Sequence, residues 1–423
     1  MMFDWMVLSL ITELFTGWNE NPPPLTPVRE LAWEELALFS LPYPPDPKIE
    51  ETVESYLQHL SGLGMASGSQ GVWLASDWWT FANHRGKIPH SAASLTKIAT
   101  SLAALETYGV NHRFETVVKR TGTIKDGVLK GDLVIEGGDD PFFVWEEAIA
   151  LGNRLNELGI RQVQGDLIIT GNFFMNYEAN AQTSAQLLAQ ALDEQSWSWE
   201  VEKQYQKMLP QTSRPQVTIL GNVVVQNQDE ITTATTMIRH QSLPLKNILQ
   251  QMNIYSNNKM ADLIARSLGG IQQLVEMVTE VADVSPQEVQ LINASGLGVD
   301  NRLSPRAVTK MLRIIHEKLE ENGGTVADIF PVTGIGQGTV RDRAIPNGLA
   351  VKTGTLWNVS ALAGVIPTER QGFVYFAIIN QDGNIDLFRN QQDQLLNNLQ
   401  QQWKIVPLTS DSIVQLGDPK RNL

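Results

Sequence analysis

Ser94 and Lys97 stand three residues apart in Ser94-Leu95-Thr96-Lys97, a spacing that puts a hydroxyl and an amine on one face of a helical turn. An amine at that distance can take the hydroxyl proton, and a helix N-terminus favours the alkoxide that develops. A lysine is a base only when neutral, and burial or a second cation such as Lys352 would lower its pKa. Further along, Ser256-Asn257-Asn258 adds a second hydroxyl and an amide. Lys352-Thr353-Gly354-Thr355 follows the apolar Leu349-Ala350-Val351 and is expected to be an edge strand. Such a strand can pair with an extended peptide, Gly354 allows close backbone approach, and Lys352 with Thr353 and Thr355 can hold a terminal carboxylate. The Thr355 and Ser94 amides would form an oxyanion hole.

Each word has a plain alternative. An isolated S-x-x-K is more simply a helix cap followed by a solvated lysine, and a K-T-G can be a routine strand end. Order decides between these readings. Ser256-Asn257-Asn258-Lys259 is itself an S-x-x-K, but no S-x-N follows it before Lys352. Arg120-Thr121-Gly122 resembles the third word and comes too early, in what reads as a hairpin. There is no G-x-S-x-G elbow. Gly334-Ile335-Gly336-Gln337-Gly338 lacks the flanking strand and helix of a phosphate loop and reads as a turn.

Composition narrows the chemistry further. The chain has 423 residues, 42% of them hydrophobic, enough for a full core and, by length, two or three domains. A net charge of -14 argues against nucleic acid or an anionic membrane as partner. There is no cysteine, and the six histidines show no metal-ligand spacing, so neither a metal nor another cofactor is expected. The absence of cysteine leaves export open. The uncharged run Trp5 to Thr12 is too short to span a bilayer and lacks the basic residues of an export signal.

The positioning elements follow from patterning. Residues 1–48 carry two proline clusters and read as an extended arm, with one short helix over 29–39. Ile49, Val53, Tyr56, Leu57 and Leu60 mark an amphipathic helix, and 71–86 a strand pair turning near Asp77. After Ser94, the spacing of Ile98, Leu102 and Leu105 predicts a helix with one apolar face, ending at Gly109. Gly131-Asp132-Leu133-Val134-Ile135 and Gly165-Asp166-Leu167-Ile168-Ile169 are near-copies 34 residues apart around a helix over 145–158. Two copies are too few for a solenoid, so a strand-helix-strand insert is expected. The run 182–206 is helix-prone, 217–226 reads as one strand, and 245–252 and 260–268 are helical. Ser304 and Pro305 cap a further helix. Strands over 348–354, 359–366 and 373–380 precede a closing helix over 388–403.

Taken together, these residues resemble the low-molecular-mass class C penicillin-binding proteins, the serine D-alanyl-D-alanine carboxypeptidase/endopeptidase family. The triplet is joined by Gly131-Asp132-Leu133 through Gly137-Gly138-Asp139-Asp140-Pro141, by Ser295-Gly296-Leu297 with Asp300-Asn301-Arg302-Leu303-Ser304-Pro305, by Gly338-Thr339-Val340-Arg341, and by Val359-Ser360-Ala361-Leu362-Ala363-Gly364. The resemblance implies a mixed α/β fold: a penicillin-binding/β-lactamase-like domain, an antiparallel sheet flanked by helices, with an inserted α/β domain. That domain would comprise 49–109 and 241–405, the insert 110–240, and a tail 406–423. Ser94 would be acylated, with Lys97 as its base. Ser256 would relay the leaving-group proton, Asn258 would hold the substrate amide, and Lys352 would anchor the carboxylate. The implied partners are peptidoglycan stem peptides ending in D-Ala-D-Ala and, as covalent inhibitors, β-lactams, which places the protein in the periplasm. Asn257 and Asn293 stand where the family more often has Asp. A β-lactamase, for which Glu288…Asn293 is a near miss of the E-x-x-x-N word, and a non-catalytic penicillin-binding scaffold are the competing readings.

Overall fold

The computed structural model describes residues 46–227, 233–409 and 414–423, so the proline-rich run up to residue 45 and the helix expected within it lie outside the described residues. A five-stranded antiparallel sheet forms the frame. Its strands run, from one edge, Ala350–Leu356, Val359–Thr368, Gly372–Gln381, Gln70–Ala75 and Thr80–His84. Val359–Thr368 is buried along its whole length, because alternate side chains enter two different cores. Ala361, Ala363 and Val365 face the core of the helices Thr96–Tyr108 and Pro305–Glu320. Leu362 and Ile366 face the core beneath Pro47–Gly62 and Ile385–Gln402. The small side chains on the first face let those helices lie close to the sheet.

Helix Thr96–Tyr108 departs from the one-faced expectation. Thr96 through Leu105 are all buried, because the helices Leu245–Ile254, Asn258–Ser267, Ile271–Val281 and Pro305–Glu320 surround it. Polar members of this stretch are satisfied inside the bundle. Ser101 Oγ donates to the Lys97 carbonyl at 2.7 Å, and Thr100 Oγ1 to the Ala294 carbonyl at 2.7 Å. Ser304 caps its helix by accepting from the Ala307 amide, with Pro305 at the first helical position.

The near-copies Leu133–Gly138 and Leu167–Asn172 pair in parallel, Leu133 opposite Leu167, with Trp145–Glu157 between them. The ladder has a third rung. Gly221-Asn222-Val223 repeats the pattern in weaker form, and Val223–Val225 pairs in parallel with Leu167–Asn172. Asp132 Oδ1 accepts from the Asp166 amide at 2.9 Å and Asp166 Oδ1 from the Asn222 amide at 2.7 Å, one rung to the next. The single strand expected over 217–226 is therefore two, Thr218–Ile219 and Val223–Val225, in different sheets. The run 182–206 likewise divides into Ala181–Leu192 and Trp199–Tyr205 around a turn where Asp193 accepts from the Gln195 amide. Arg120-Thr121-Gly122 sits at the corner after strand Glu115–Arg120, which pairs with Leu133–Gly138 and Thr235–Gln241 and not with the next strand.

Residues 414–423 return to this region. Arg421 forms a buried ion pair with Glu147, the Gly417 amide donates to the same carboxylate at 3.0 Å, and Asn422 bonds His240 at 2.8 Å. Among the described residues no helix is long and apolar enough to cross a membrane. Removing one partner of a buried pair leaves a charge that nothing compensates. Arg421→Ala should therefore cost about 3 kcal/mol, read as a lower urea midpoint, whereas an unchanged midpoint would show that the pair contributes nothing.

Candidate active site

Ser94 lies in the short 3-10 turn Ala93–Leu95, which runs directly into helix Thr96–Tyr108 and so places Lys97 one turn on. Lys97 is fully buried. Its Nζ lies 3.0 Å from Ser94 Oγ, 2.7 Å from Asn258 Oδ1 and 2.7 Å from the Ser295 carbonyl. Two of these partners can only accept a hydrogen bond. In the neutral amine, Asn258 and Ser295 take the two N–H donors, and the lone pair is left facing the Ser94 hydroxyl. Burial pushes Lys97 down to about 7, against an opposing pull from the Asp262 carboxylate. Lys352 is also fully buried and lies well below the usual lysine range, first through burial and then through the nearby Lys97 charge.

Lys352 Nζ donates to Ser256 Oγ at 3.1 Å and to the Thr353 carbonyl at 2.8 Å. Ser256 is held in the left-handed region, φ 53°, at the entry to helix Asn258–Ser267. Asn257 supports that bend: its amide donates to the Met252 carbonyl at 2.9 Å and its side chain caps the helix by accepting from the Met260 amide at 3.1 Å. Asp and Asn cap helices equally well, so the unusual middle residue of the second word leaves this geometry intact.

The third word is an edge strand as expected. The Val351 amide points outward to the Pro331 carbonyl at 3.0 Å, and by the alternation of a strand the Thr353 and Thr355 amides point the same way, away from Val359–Thr368. Gly354 is required: a Cβ there would lie 2.8 Å from the Ala92 carbonyl oxygen and 3.1 Å from the Ser94 amide. The strand therefore lies against the Ser94 turn, with Gly354 facing the Ala92 carbonyl and the Ser94 amide. The Thr353 hydroxyl bonds Thr339 at 2.7 Å, and Thr355 Oγ1 accepts from Arg389 at 3.1 Å. Of the eight expected residues, Lys97 joins Ser94 and Asn258, Lys352 joins Ser256 and Thr353, and Gly354 packs on the Ser94 turn with Thr355 following it.

The structure adds residues that the motif reading assigned no role. The Ser295 carbonyl reaches Lys97 because the 292–297 loop is pinned from several sides. Asn301 Oδ1 accepts from the Ile292 and Asn293 amides at 3.0 and 3.1 Å, and Asn293 Oδ1 from the Gly296 amide at 2.8 Å. Asp262 accepts from the Ala294 amide at 3.1 Å. The Ser295-Gly296-Leu297 word was visible in the chain, but a backbone carbonyl has no side-chain signature.

A hydroxyl and two buried amines at one end of an antiparallel sheet backed by a helical bundle define the penicillin-binding/β-lactamase-like fold class. The chain belongs to the D-Ala-D-Ala carboxypeptidase 3 (S13) family, whose pattern matches residues 49–184 and 186–402. It is 30% identical over 168 residues to carboxypeptidase DacB of Mycolicibacterium smegmatis, covering 35% of this chain and 36% of that protein. The chain spans little more than a third of the length of the curated relatives it matches first. Among solved structures it is similar to the penicillin G acylated endopeptidase Bd3459 of Bdellovibrio bacteriovorus, bound to immunity protein Bd3460, with TM-score 0.70, 22% identity, 82% of this chain and 96% of that one. Penicillin-binding protein 4 (dacB) of Haemophilus influenzae gives TM-score 0.59 and 18% identity over 82% of this chain and 98% of that one.

Gly296 offers a test of the pinned loop. It has φ 82°, and a Cβ would fall 1.8 Å from the Ala93 carbonyl oxygen. Gly296→Ala should destabilise the protein by at least about 2 kcal/mol through left-handed strain and displacement of the Ser94 turn. Calorimetry showing an unshifted Tm would mean that this close approach is dispensable.

Proposed function

We propose that the protein is a serine D-Ala-D-Ala carboxypeptidase, with endopeptidase action on the same bond class, which cleaves peptidoglycan stem peptides and is acylated by β-lactams. The observation that carries this reading is the Lys97 amine, desolvated and held by two obligate acceptors so that its lone pair meets Ser94. Ser94 Oγ attacks the carbonyl carbon of the penultimate D-Ala as its proton passes to Lys97 Nζ. The oxyanion is held by the Ser94 and Thr355 amides. As the C–N bond breaks, the proton taken up by Lys97 passes by way of Ser256 Oγ, which Lys352 contacts at 3.1 Å, to the leaving amine, so Lys97 is again neutral in the acyl-enzyme. Water then attacks the ester, returning a proton to Ser94 and releasing the shortened peptide. Asn258 holds the substrate amide, and Lys352, aided by Thr353, meets the terminal carboxylate, regaining its charge in that contact.

Support comes from the family, from carboxypeptidase DacB among its relatives, and from the penicillin G acylated state of a protein with this fold. The substrate implies action outside the cytoplasmic membrane. The β-lactamase reading is disfavoured at Glu288, because Ser304 Oγ at 2.6 Å and Arg306 Nε at 3.1 Å occupy its carboxylate. An intact Lys97–Ser94 contact disfavours the inert scaffold.

Ser94→Ala should lose the covalent adduct with a fluorescent penicillin, located by peptide mass spectrometry, and an adduct on Ser256 would reassign the nucleophile. Because the working form of Lys97 is neutral and its pKa is about 7, acylation should rise with pH through a midpoint near 7 and lose about tenfold per unit below it. A flat profile between pH 5 and 8 would remove Lys97 as the base. Lys352→Gln should lower kcat/KM for a free D-Ala-D-Ala terminus by roughly ten- to a hundredfold and hardly affect a C-terminally amidated analogue. Equal losses on both would place Lys352 in another role.

A further inference from the structure

Asp262 stands one helical turn after Asn258 on helix Asn258–Ser267, near enough to Lys97 for its charge to act on that amine. Its Oδ1 accepts from the Ala294 amide at 3.1 Å, and Ser295 lies next along the chain, close enough to favour the charged carboxylate. The Ser295 hydroxyl donates to Asn293 Oδ1 at 3.1 Å. The backbone that Asp262 grips at Ala294 leads directly to the Ser295 carbonyl, which accepts from Lys97 Nζ at 2.7 Å. One carboxylate thus touches the backbone that orients the amine and also lies close enough to act on its charge.

Among the described residues, Asp262 is the charged group that acts on Lys97, Lys352 of the edge strand is in turn lowered by the Lys97 charge, and the remaining contacts of Lys97, Ser94, Asn258 and the Ser295 carbonyl, are uncharged. Asp262 itself is exposed. It opens into a surface groove of about 540 Å³ lined also by Arg266, Gly269, Ile271 and Asn293, a lining that includes neither Ser94 nor Lys97. Arg266 is the other charged side chain of that groove and points to the Ala179 carbonyl at 3.2 Å. Water reaching Asp262 through the groove screens its field at Lys97 without breaking the short chain of contacts through Ser295.

We propose that Asp262 is a positioning residue for the acyl-transfer reaction, holding the Ser295 carbonyl against the Lys97 amine and balancing the charge of that amine from outside the cleft. The inference rests on the proposed function, in which Lys97 is the base. A carboxylate beside an amine favours the protonated form. Its loss therefore makes Lys97 neutral at lower pH while loosening the carbonyl that aims the lone pair. Asp262 raises the pH at which the base is ready and improves its aim, two effects that a scaffold residue would not combine.

The test is the rate of acylation by a fluorescent penicillin between pH 5 and 9 for the full chain, Asp262→Asn and Asp262→Glu, with Tm measured in parallel. Asp262→Asn should move the midpoint to lower pH by about half a unit, a small shift because the group is exposed. Its plateau should fall roughly tenfold from the loss of aim. Asp262→Glu, which keeps the charge, should return the midpoint to the wild-type value. A lowered plateau with an unmoved midpoint in Asp262→Asn would overturn the proposal, as would a profile identical to wild type. If Asp262→Asn does not fold, Asp262→Ser is read by the same criteria, and failure of both to fold would make the residue a determinant of the fold and overturn the positioning role. Wild-type protein that is not acylated at any pH would instead overturn the proposed function, an outcome visible before any variant is compared.

Discussion

An ammonium has three N–H donors and a neutral amine two, and the centre of this molecule is arranged around that difference of one proton. Lys97 meets two oxygens that can only accept and one hydroxyl that can do either. Burial removes the water that would otherwise stabilise its charge. Burial and hydrogen bonding act together: desolvation favours the two-donor form, and the contacts settle which way the remaining lone pair points. The surrounding helices serve that burial. Thr96 through Leu105 are buried on every face, so the first turn of the helix carries its lysine into the interior.

A second amine in the same cleft sharpens the constraint. Lys97 and Lys352 are both fully buried and each is pushed down chiefly by desolvation, with their mutual repulsion appearing on Lys352. Desolvation favours the neutral form of both amines, and either would regain a proton only where an anion came into contact with it.

Bringing the three words together requires backbone conformations that cost energy. Ala93, just before Ser94, and Ser256 itself both occupy the left-handed region, at a cost on the order of 1 kcal/mol each. Gly354 and Gly296 both press against the Ala92 to Ser94 turn, where a Cβ would collide with backbone oxygen. These distortions persist because the sheet, the helix and the 292–297 loop hold the turn from several directions at once.

What could be read from the chain was local. Hydroxyl and amine spacing around Ser94, the Ser304-Pro305 helix start, the Leu133 and Leu167 strands and the amphipathic first and last helices each depend on residues a few positions apart, and their side chains reveal them. The Gly221-Asn222 rung was hidden because its backbone pairing outlasts the side-chain likeness, and helix Ile271–Val281 lies beyond a glycine pair that marks a helix stop. Only the tertiary structure decides that Lys97 is dry, that the Ser295 carbonyl faces it from 198 residues away, and that Arg421 pairs with Glu147 across 274 residues. A residue's type states what chemistry it can do. Whether it is desolvated, and which backbone oxygen it meets, depends on parts of the chain that packing alone brings together.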